Sequence, residues 1–205
     1  MTTRRYVSPV RTAAADRKRD QVVAAAGRLL RDGPLSEFSM DAVAKAAGVT
    51  RLTVYRQFGS RRALFEAVFD ERAQKGGLHQ IPQALAMPDP WQALDRLIEI
   101  FCGFWSSDEA VGRLHDAMAA DPEFAQALAD RNERRRKLMG VLVGRIAPTA
   151  GSQARSDAVD LLFAMTSYAM FAMLRPGRRP EEIGDLVKSA CAAVIAGLIE
   201  PHPAG

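Results

Sequence analysis

Arginines, threonines and a tyrosine are concentrated in one short stretch near the start of the chain. Arg51 and Arg56 can pair with phosphates or with the edges of bases, and Thr53 and Tyr55 can donate and accept hydrogen bonds. The same stretch, AGVTRLTVYRQF at 47–58, is rich in β-branched residues, which favour a strand. Its chemistry therefore depends on whether it is an edge strand or a short helix that presents polar groups outward.

A turn and two caps favour the helix. Ser39 can cap a short helix that ends at Gly48, whose missing Cβ permits a left-handed turn. Thr50 can then cap a second short helix. The apolar residues that would meet between these helices are Val43, Ala47, Val49 and Val54. This is the spacing of a helix-turn-helix, in which the second helix enters the major groove of DNA.

Two further arginines occupy an unusual place on the next predicted helix. Arg61 and Arg62 follow Ser60, a candidate cap, so they lie in a first turn where cations oppose the helix dipole. A single such arginine is better explained as a solvated side chain. Because Arg51 has the same position on the preceding helix, the pattern favours bound phosphate. The candidate DNA contacts are therefore Ser39, Thr50, Arg51, Thr53, Tyr55, Arg56 and Arg61.

The charge distribution also indicates a polyanionic partner. Residues 1–62 hold 13 Lys and Arg against 5 Asp and Glu, whereas residues 63–205 hold 15 against 19. A basic first third on an acidic remainder suggests that the first third alone binds the polyanion. A basic helix that touches nothing would give the same counts.

Other classes of function find little support. No HxxxH, GxSxG, Walker or GxGxxG pattern is present, so we expect no enzyme, no cofactor and no metal. Cys102 and Cys191 form no CxxC pair, which favours a reducing cytoplasm and buried, inert thiols. The apolar run 190–199 is too short for a bilayer, and the N-terminus lacks a secretory signal, so we expect no membrane partner.

Apolar residues recur with helical spacing from Asp16 onward, and no strand pattern appears. The predicted fold is all-α, with about nine helices. The predicted organisation is a flexible basic arm at 1–15, a helix-turn-helix domain at 16–60 with a connecting helix at 60–75, and a larger helical domain at 76–205.

The run DRKRDQVVAAAGRLLRDG…FSMDAVAKAAGVTRLTVYRQFGSRRALFEAV resembles the N-terminal DNA-binding domain of TetR-type transcriptional regulators. The resemblance covers about residues 16–70. Its matching positions are Ala25, Gly33, Ala44, Ala47, Gly48, Val49, Tyr55, Phe58, Ser60 and Leu64. Lys-Glu is common in the family where Arg61-Arg62 stand, and His where Gln57 stands. Arg61 keeps the phosphate-binding charge, and Gln57 remains a hydrogen-bonding group.

The resemblance implies a three-helix DNA-binding domain, joined by a fourth helix to a helical domain that dimerises and binds an effector. Residues 161–174 are apolar on nearly every face, so a helix there must be buried all round. An ordinary monomeric core would satisfy this. The two-fold symmetry of helix-turn-helix dimers favours instead a homodimer through the last two helices, at about 155–174 and 181–199.

Aromatic residues and methionines on several helices of the larger domain are candidates for an effector pocket. Each alone is better explained as core. Together they suggest an apolar cavity for a small lipophilic or aromatic effector, with His115 as a hydrogen-bonding group. The candidates are Trp91, Phe101, Phe104, Trp105, His115, Met118, Met139, Phe163, Met165 and Tyr168.

Arg131 and Arg135 interrupt an otherwise apolar stripe on one helix. The stripe consists of Phe124, Leu128, Leu138 and Leu142. Either the helix emerges from the bundle at these arginines, or they meet an acid or an anionic ligand. The neighbouring Arg134, Arg136 and Lys137 resemble a solvated face, which favours emergence.

These observations predict a dimeric, ligand-responsive DNA-binding regulator, a repressor released from a palindromic operator. The alternative is a helical small-molecule-binding or enzymatic domain whose basic N-terminus serves another polyanion. Sequence-selective, salt-dependent binding to a duplex separates the two.

Overall fold

The computed structural model describes residues 9–199, and every regular element in that range is helical. Short 3-10 turns lie at Leu35–Glu37 and Leu78–Gln80. The α-helices are α1 (Pro9–Asp32), α2 (Met40–Ala46), α3 (Arg51–Phe58), α4 (Arg61–Lys75), α5 (Ile81–Leu85), α6 (Pro90–Ser106), α7 (Glu109–Ala120), α8 (Pro122–Ile146), α9 (Ser152–Met165), α10 (Tyr168–Leu174) and α11 (Pro180–Ile199). The all-α prediction is confirmed, but the described range contains eleven α-helices instead of about nine.

The chain divides into two compact units, Met1–Glu71 and Arg72–Gly205. We call them the N-terminal unit and the C-terminal unit. The division falls inside α4, so the last turn of this helix belongs to the C-terminal unit. The sequence placed the division at the end of the same helix, four residues later.

A helix-turn-helix occupies the middle of the N-terminal unit. Gly48 has φ 62°, and the N–H groups of Gly48 and Val49 donate to the carbonyls of Lys45 (3.2 Å) and Ala44 (3.0 Å). This is a Schellman motif, and it ends α2 where the missing side chain of Gly48 permits a left-handed residue. Thr50 then starts α3. The AGVTRLTVYRQF segment is therefore a turn followed by a helix, since the caps and the turn outweigh the strand propensity of its β-branched residues.

The core of the N-terminal unit is assembled from one side of each of its helices. α1 packs on α2, and α2 packs on α3. Phe38 meets Phe65 edge to face, with ring centroids 5.6 Å apart. The buried residues include Val22, Ala26, Leu30, Val43, Ala47, Val54, Phe58, Leu64 and Phe65. The opposite side of α3 is left exposed.

α6 is the central helix of the C-terminal unit. Its apolar residues recur on one broad face, and it packs against α5, α8 and α11, while α8 also packs against α7 and α9. The buried residues of α6 are Ala93, Leu94, Leu97, Ile98, Ile100, Phe101, Cys102, Phe104 and Trp105. Three of the candidate pocket residues, Phe101, Phe104 and Trp105, are therefore buried on α6.

The two additional helices come from local features that the apolar spacing hides. α5 lies in the Pro-rich connection between α4 and α6. Arg145 holds the end of this segment by donating to the carbonyls of Leu85 (2.8 Å), Met87 (2.6 Å) and Pro88 (3.1 Å). Further along, the helix predicted at about 155–174 breaks after Met165. The break occurs because Ser167 caps a new helix, α10, by accepting from the N–H of Met170 (3.1 Å).

α1 starts at Pro9, seven residues before the predicted start at Asp16. A flexible arm over residues 9–15 was therefore wrong, and residues 1–8 lie outside the described range. Pro9 suits a first helical position, and the run Ala13–Ala15 consists of the best helix former. In residues 9–199 no single helix is long and apolar enough to cross a membrane. The pair α9 and α10, which is bent by 54°, meets the requirements for a membrane-spanning segment by length and composition only.

Candidate nucleic-acid interface and ligand site

The exposed side of α3 carries three of the seven predicted DNA contacts. Val54 and Phe58 point into the core, so Arg51, Tyr55 and Arg56 are left on the outer side. Leu52 lies beside them and is 57% exposed. Thr53 is half-buried. A short helix with a polar and aromatic outer side is thus held on its inner side by two buried residues.

Thr50 and Thr53 form a closed hydrogen-bonding pair at the start of α3. The hydroxyl of Thr50 accepts from the N–H of Thr53 (3.2 Å), and the two hydroxyl oxygens are 2.9 Å apart. Ser39 does the same for α2 by accepting from the N–H of Ala42 (3.1 Å). The two predicted caps are confirmed, so these hydroxyls have a structural task before any contact with DNA.

Arg51 bridges α2 and α3 on the outer side. Its guanidinium pairs with Asp41 (3.0 Å) and lies 5.4 Å from the centre of the Tyr55 ring. Hydrogen bonding to Tyr55, followed by the charge of Asp41, raises the pKa of Arg51. Both members of the ion pair are more than half exposed, so water and salt screen it. The guanidinium can therefore exchange Asp41 for a stronger acceptor.

Arg61 is half-buried and is engaged within the N-terminal unit. Its Nε donates to the carbonyl of Phe38 (3.2 Å), and its guanidinium lies 5.9 Å from the centre of the Phe38 ring. Ser60 caps α4 by accepting from the N–H of Ala63 (3.1 Å). Arg62 pairs with Glu66 at 2.9 Å. Both arginines thus lie in the first turn of α4, as predicted.

Two residues of α1 that the sequence did not single out hold the helix-turn-helix in place. Gln21 donates to the carbonyl of Ala47 (2.8 Å), the residue before the turn. Arg19 lies 4.5 Å from the centre of the Phe58 ring and donates to the carbonyl of Gln57 (3.4 Å). The only sequence signal for them is the basic run that includes Arg19, which does not reveal these contacts.

In the C-terminal unit, aromatic rings from three helices lie close together. The ring of Trp105 is 5.9 Å from that of His115 and 5.5 Å from that of Tyr168, and the last two are 5.0 Å apart. The indole N–H of Trp105 donates to the carbonyl of Thr166 (3.1 Å), at the end of α9. We call the set of Phe101, Trp105, His115, Arg135, Phe163, Thr166 and Tyr168 the Arg135 cluster.

Arg135 lies inside this cluster and is only 8% exposed. Its Nη1 donates to the carbonyl of Thr166 (2.6 Å), and its guanidinium lies 4.1 Å from the centre of the Phe163 ring and 6.0 Å from that of Phe101. Burial lowers the pKa of Arg135 to about 10. The prediction that α8 emerges from the bundle here was wrong for this residue, because position 135 continues the inward stripe.

The remaining arginines of this segment behave differently. Arg131 is half-buried and donates to the carbonyl of Ala127 (3.3 Å), one turn earlier on α8. Arg136 pairs with Asp160 of α9. Arg134 and Lys137 are exposed, as predicted. Only Arg135 of this group is buried among aromatic rings.

The other predicted pocket residues divide between core and surface. Phe104, Met118 and Met139 are almost fully buried, and Met165 is half-buried. Trp91 is 37% exposed in the first turn of α6. It lies about 21 Å from Trp105 along the helix axis, given about 1.5 Å per residue. The structure therefore does not bring Trp91 into the Arg135 cluster.

A separate cavity of about 300 Å³ lies between α6 and α11, and its lining includes Glu99, Cys102 and Lys188. Lys188 pairs with Glu99 at 2.7 Å. Both cysteines of the chain are buried, and burial raises the pKa of Cys102 to about 11 and that of Cys191 to about 12. At neutral pH both are therefore thiols, which are poor nucleophiles and poor metal ligands.

Comparisons with known proteins match both units. Residues 22–68 match the family model of bacterial regulatory proteins, tetR family, and residues 88–197 match a tetracyclin repressor-like C-terminal domain. The HTH-type transcriptional regulator EthR of Mycolicibacterium smegmatis is 28% identical over 180 residues, which are 83% of this chain and 82% of that protein.

Solved structures share the fold at low identity. A TetR-like transcriptional regulator from a Rhodococcus species aligns with TM-score 0.69 and 22% identity over 88% of this chain and 96% of its own. NalD of Pseudomonas aeruginosa, the secondary repressor of the MexAB-OprM multidrug efflux pump, aligns with TM-score 0.69 and 18% identity. The alignment covers 89% of this chain and 97% of NalD. A regulator from Syntrophomonas wolfei aligns with TM-score 0.73 and 12% identity over 91% of this chain and 99% of its own.

Proposed function

This chain belongs to the TetR family of bacterial transcriptional regulators, and on that premise we propose that it is a homodimeric repressor released from a palindromic operator by a small effector. The observation that carries the proposal is the outer side of α3, where Arg51, Tyr55 and Arg56 are exposed while Val54 and Phe58 fix the helix from behind. A short helix held in this way fits the major groove. Because its target is DNA, we place the protein in the cytoplasm.

Each DNA contact has a role that follows from its chemistry. Arg51 and Arg56 would pair with guanine edges or phosphates, and Thr53 and Tyr55 would form hydrogen bonds with bases or the backbone. The other three contacts would position the duplex. Ser39 and Thr50 would donate to phosphates from the helix starts they cap, and Arg61 would add a positive charge at the start of α4.

The dimer would form through the apolar surface of the last helices. Leu161 on α9, Met173 on α10 and Leu186 on α11 are exposed large apolar residues of these helices, and Met173 is 69% exposed. Small residues such as Ala164, Ala169 and Ala193 lie exposed or nearly so on the same helices, which permits close packing. The proposed interface therefore consists of α9 and α10, corresponding to the predicted 155–174 segment, together with α11.

The effector would bind at the Arg135 cluster, whose rings suit a lipophilic or aromatic body. The effector would act on α4 through contacts within the C-terminal unit. Asp108 caps α7, the helix that carries His115, and pairs with Arg72 in the last turn of α4 at 2.7 Å. A ligand that displaces α7 can thereby move the end of α4, which continues into the N-terminal unit. DNA is released if the ligand binds better to the conformation that fits the operator less well.

Selection of binding sites from random duplex DNA tests the function directly. We expect near-palindromic sites whose half-sites are centred about 34–36 Å apart or a multiple of that distance. Affinity should fall steeply with salt, because phosphate contacts release counterions. Binding without sequence preference would favour a general polyanion-binding protein, and selection of single asymmetric half-sites would contradict the dimer.

A further inference from the structure

Arg135 is a buried cation without an acidic partner in the part of the chain that the structure describes. In residues 9–199 no carboxylate forms an ion pair with it, and its hydrogen-bond acceptor is the neutral carbonyl of Thr166. Aromatic faces of Phe163 and Phe101 provide the remaining polar attraction. Burying a charge without a counter-charge is costly, so such groups are ordinarily paired. A buried guanidinium without a carboxylate partner among residues 9–199 therefore points to an anion from outside the chain.

A structural role for Arg135 accounts for only part of this arrangement. The carbonyl of Thr166 lies at the end of α9, where a cation is favourable. However, Trp105 already donates to the same oxygen from its indole N–H at 3.1 Å. A neutral donor thus satisfies this carbonyl without any charge. Capping uses one N–H of Arg135 and leaves the rest of the guanidinium among aromatic rings.

His115 provides a second polar group with an unmet hydrogen bond in the same cluster. Its Nδ1 is buried and lies 3.6 Å from the carboxylate of Asp116, which is too long for a hydrogen bond. Burial lowers the pKa of His115 more than Asp116 raises it, and the charge of Arg135 lowers the pKa further. A neutral imidazole beside a guanidinium can complete the binding of an oxygen-containing group without adding charge.

We propose that the effector is a small organic monoanion, a carboxylic acid with an aromatic or acyl body, whose carboxylate binds the guanidinium of Arg135. This inference rests on the proposed ligand-responsive function and specifies its ligand class. A planar carboxylate matches the fork of a guanidinium, and the rings of Phe101, Trp105, Phe163 and Tyr168 would contact the apolar body. One buried cation balances one negative charge. A phosphate ester, with nearly twice that charge, would remain undercompensated.

Matched acids and amides test the proposal on the full-length wild-type protein. The probes are two matched pairs, phenylacetate with phenylacetamide and octanoate with octanamide. Their binding is measured by calorimetry and by quenching of tryptophan fluorescence. Each amide keeps the body of its acid and removes the charge. We expect each acid to bind at least about tenfold more tightly than its amide, because charge-assisted hydrogen bonds are lost in the amide.

Variants identify the residue responsible. Arg135→Gln should abolish the preference for the acids, whereas Arg134→Gln, one position earlier on the exposed side of α8, should keep it. Arg135→Lys should retain a reduced preference, since it keeps the charge and loses the fork. If Arg135→Gln fails to fold, the acid-to-amide comparison on the wild type and on Arg135→Lys still decides the matter.

Three outcomes would overturn the proposal. In the wild-type protein, these are equal affinity for acid and amide, or no binding of either acid. In the variant, it is an acid preference that survives Arg135→Gln. Operator binding is measured separately on the same preparation without acid. If it fails while the acid preference holds, the regulator function is defeated and the anion site stands; the reverse result defeats only the anion site.

Discussion

The phenol hydroxyl of Tyr168 on α10 lies in the space that a Cβ on Gly112 of α7 would occupy. Gly112 is buried, and the Tyr168 ring is also within 5.0 Å of the His115 ring one turn further along α7. The missing side chain thus lets α10 bring an aromatic ring onto α7 at the Arg135 cluster. The position of Tyr168 depends on a residue that has no side chain to contribute.

Gly112→Ala should destabilise the protein, because the new methyl group overlaps Tyr168 and overpacking costs about 1–3 kcal/mol. Gly140→Ala is a matched control, since nothing lies near its Cβ position in the middle of α8. There the better helix propensity of alanine should stabilise by about 0.5–1 kcal/mol. Urea unfolding measures both. Adding Tyr168→Phe should recover part of the loss at Gly112; equal effects at the two glycines would contradict the close approach.

Substitutions in the N-terminal unit should separate base contacts from phosphate contacts. Arg51→Ala and Thr53→Ala should each reduce discrimination between preferred and mismatched sites by roughly five- to 150-fold. Arg61→Ala should weaken all sequences alike and lower the salt slope by about 0.9. Both effects are measured by competition binding at several salt concentrations. A changed sequence preference for Arg61→Ala, with none for Arg51→Ala, would show that α3 is not the recognition helix.

Met173→Glu should convert the dimer to monomer, since it would place a carboxylate in the proposed apolar interface. Val141→Glu is the matched control. Val141 is also an exposed large apolar residue, but it lies on α8, outside that interface. Light scattering across a range of concentrations gives the mass. A dimer that survives Met173→Glu as well as it survives Val141→Glu would place the interface elsewhere.

The Glu99–Lys188 pair, which joins α6 to α11, should make stability depend on pH. Hydrogen bonding to Lys188 lowers the pKa of Glu99, so the folded state binds the proton of this carboxyl less readily than the unfolded state does. Its stabilisation is therefore present above the unfolded pKa and is lost as pH falls through the lowered folded pKa. Glu99→Gln should destabilise at neutral pH, by less than about 1 kcal/mol for a partly exposed pair, and should approach the wild type in acid, below the lowered pKa of Glu99.

Denaturant titrations of Glu99→Gln and of the wild type, each at neutral and at acidic pH, measure this difference in stability. Glu133→Gln is the control, because Glu133 pairs with Lys137 within one helix and both side chains are more than half exposed. We expect little effect of that change. A Glu99→Gln difference that persists unchanged in acid would mean that packing, and not the ion pair, sets the contribution of Glu99.

Local signals in the sequence predict the N-terminal unit well and the C-terminal unit less well. The caps at Ser39 and Thr50 and the glycine turn at 48 act within a few residues, so their types and spacing are sufficient. The break before Ser167 depends on a similar cap, but the continuous apolar run around it hides the signal. In the segment at α5, three carbonyls are held by Arg145, from a part of the sequence about sixty residues away.

Arg135 shows why the ligand site was the hardest part to predict. Its spacing matches the inward stripe of α8, while its charge and its basic neighbours indicate solvent. The rings of Phe101 and Phe163, which accept the guanidinium, come from other helices. Only the assembled fold could decide between the two signals. The alternative of an anionic ligand, weighed against emergence from the bundle, remains the proposal that the buried guanidinium supports.

The two buried cysteines allow local opening of the C-terminal unit to be measured by thiol labelling. The chain has no other thiol, and both cysteines lie in this unit, on α6 and α11. Cys102 lines the cavity between α6 and α11, but Cys191 is fully buried, and a thiol reagent can react there only when α11 moves away from its neighbours. The rate at which the reagent is incorporated at Cys191, measured by mass spectrometry, therefore reports local opening of this unit alone. No contribution from the N-terminal unit has to be subtracted.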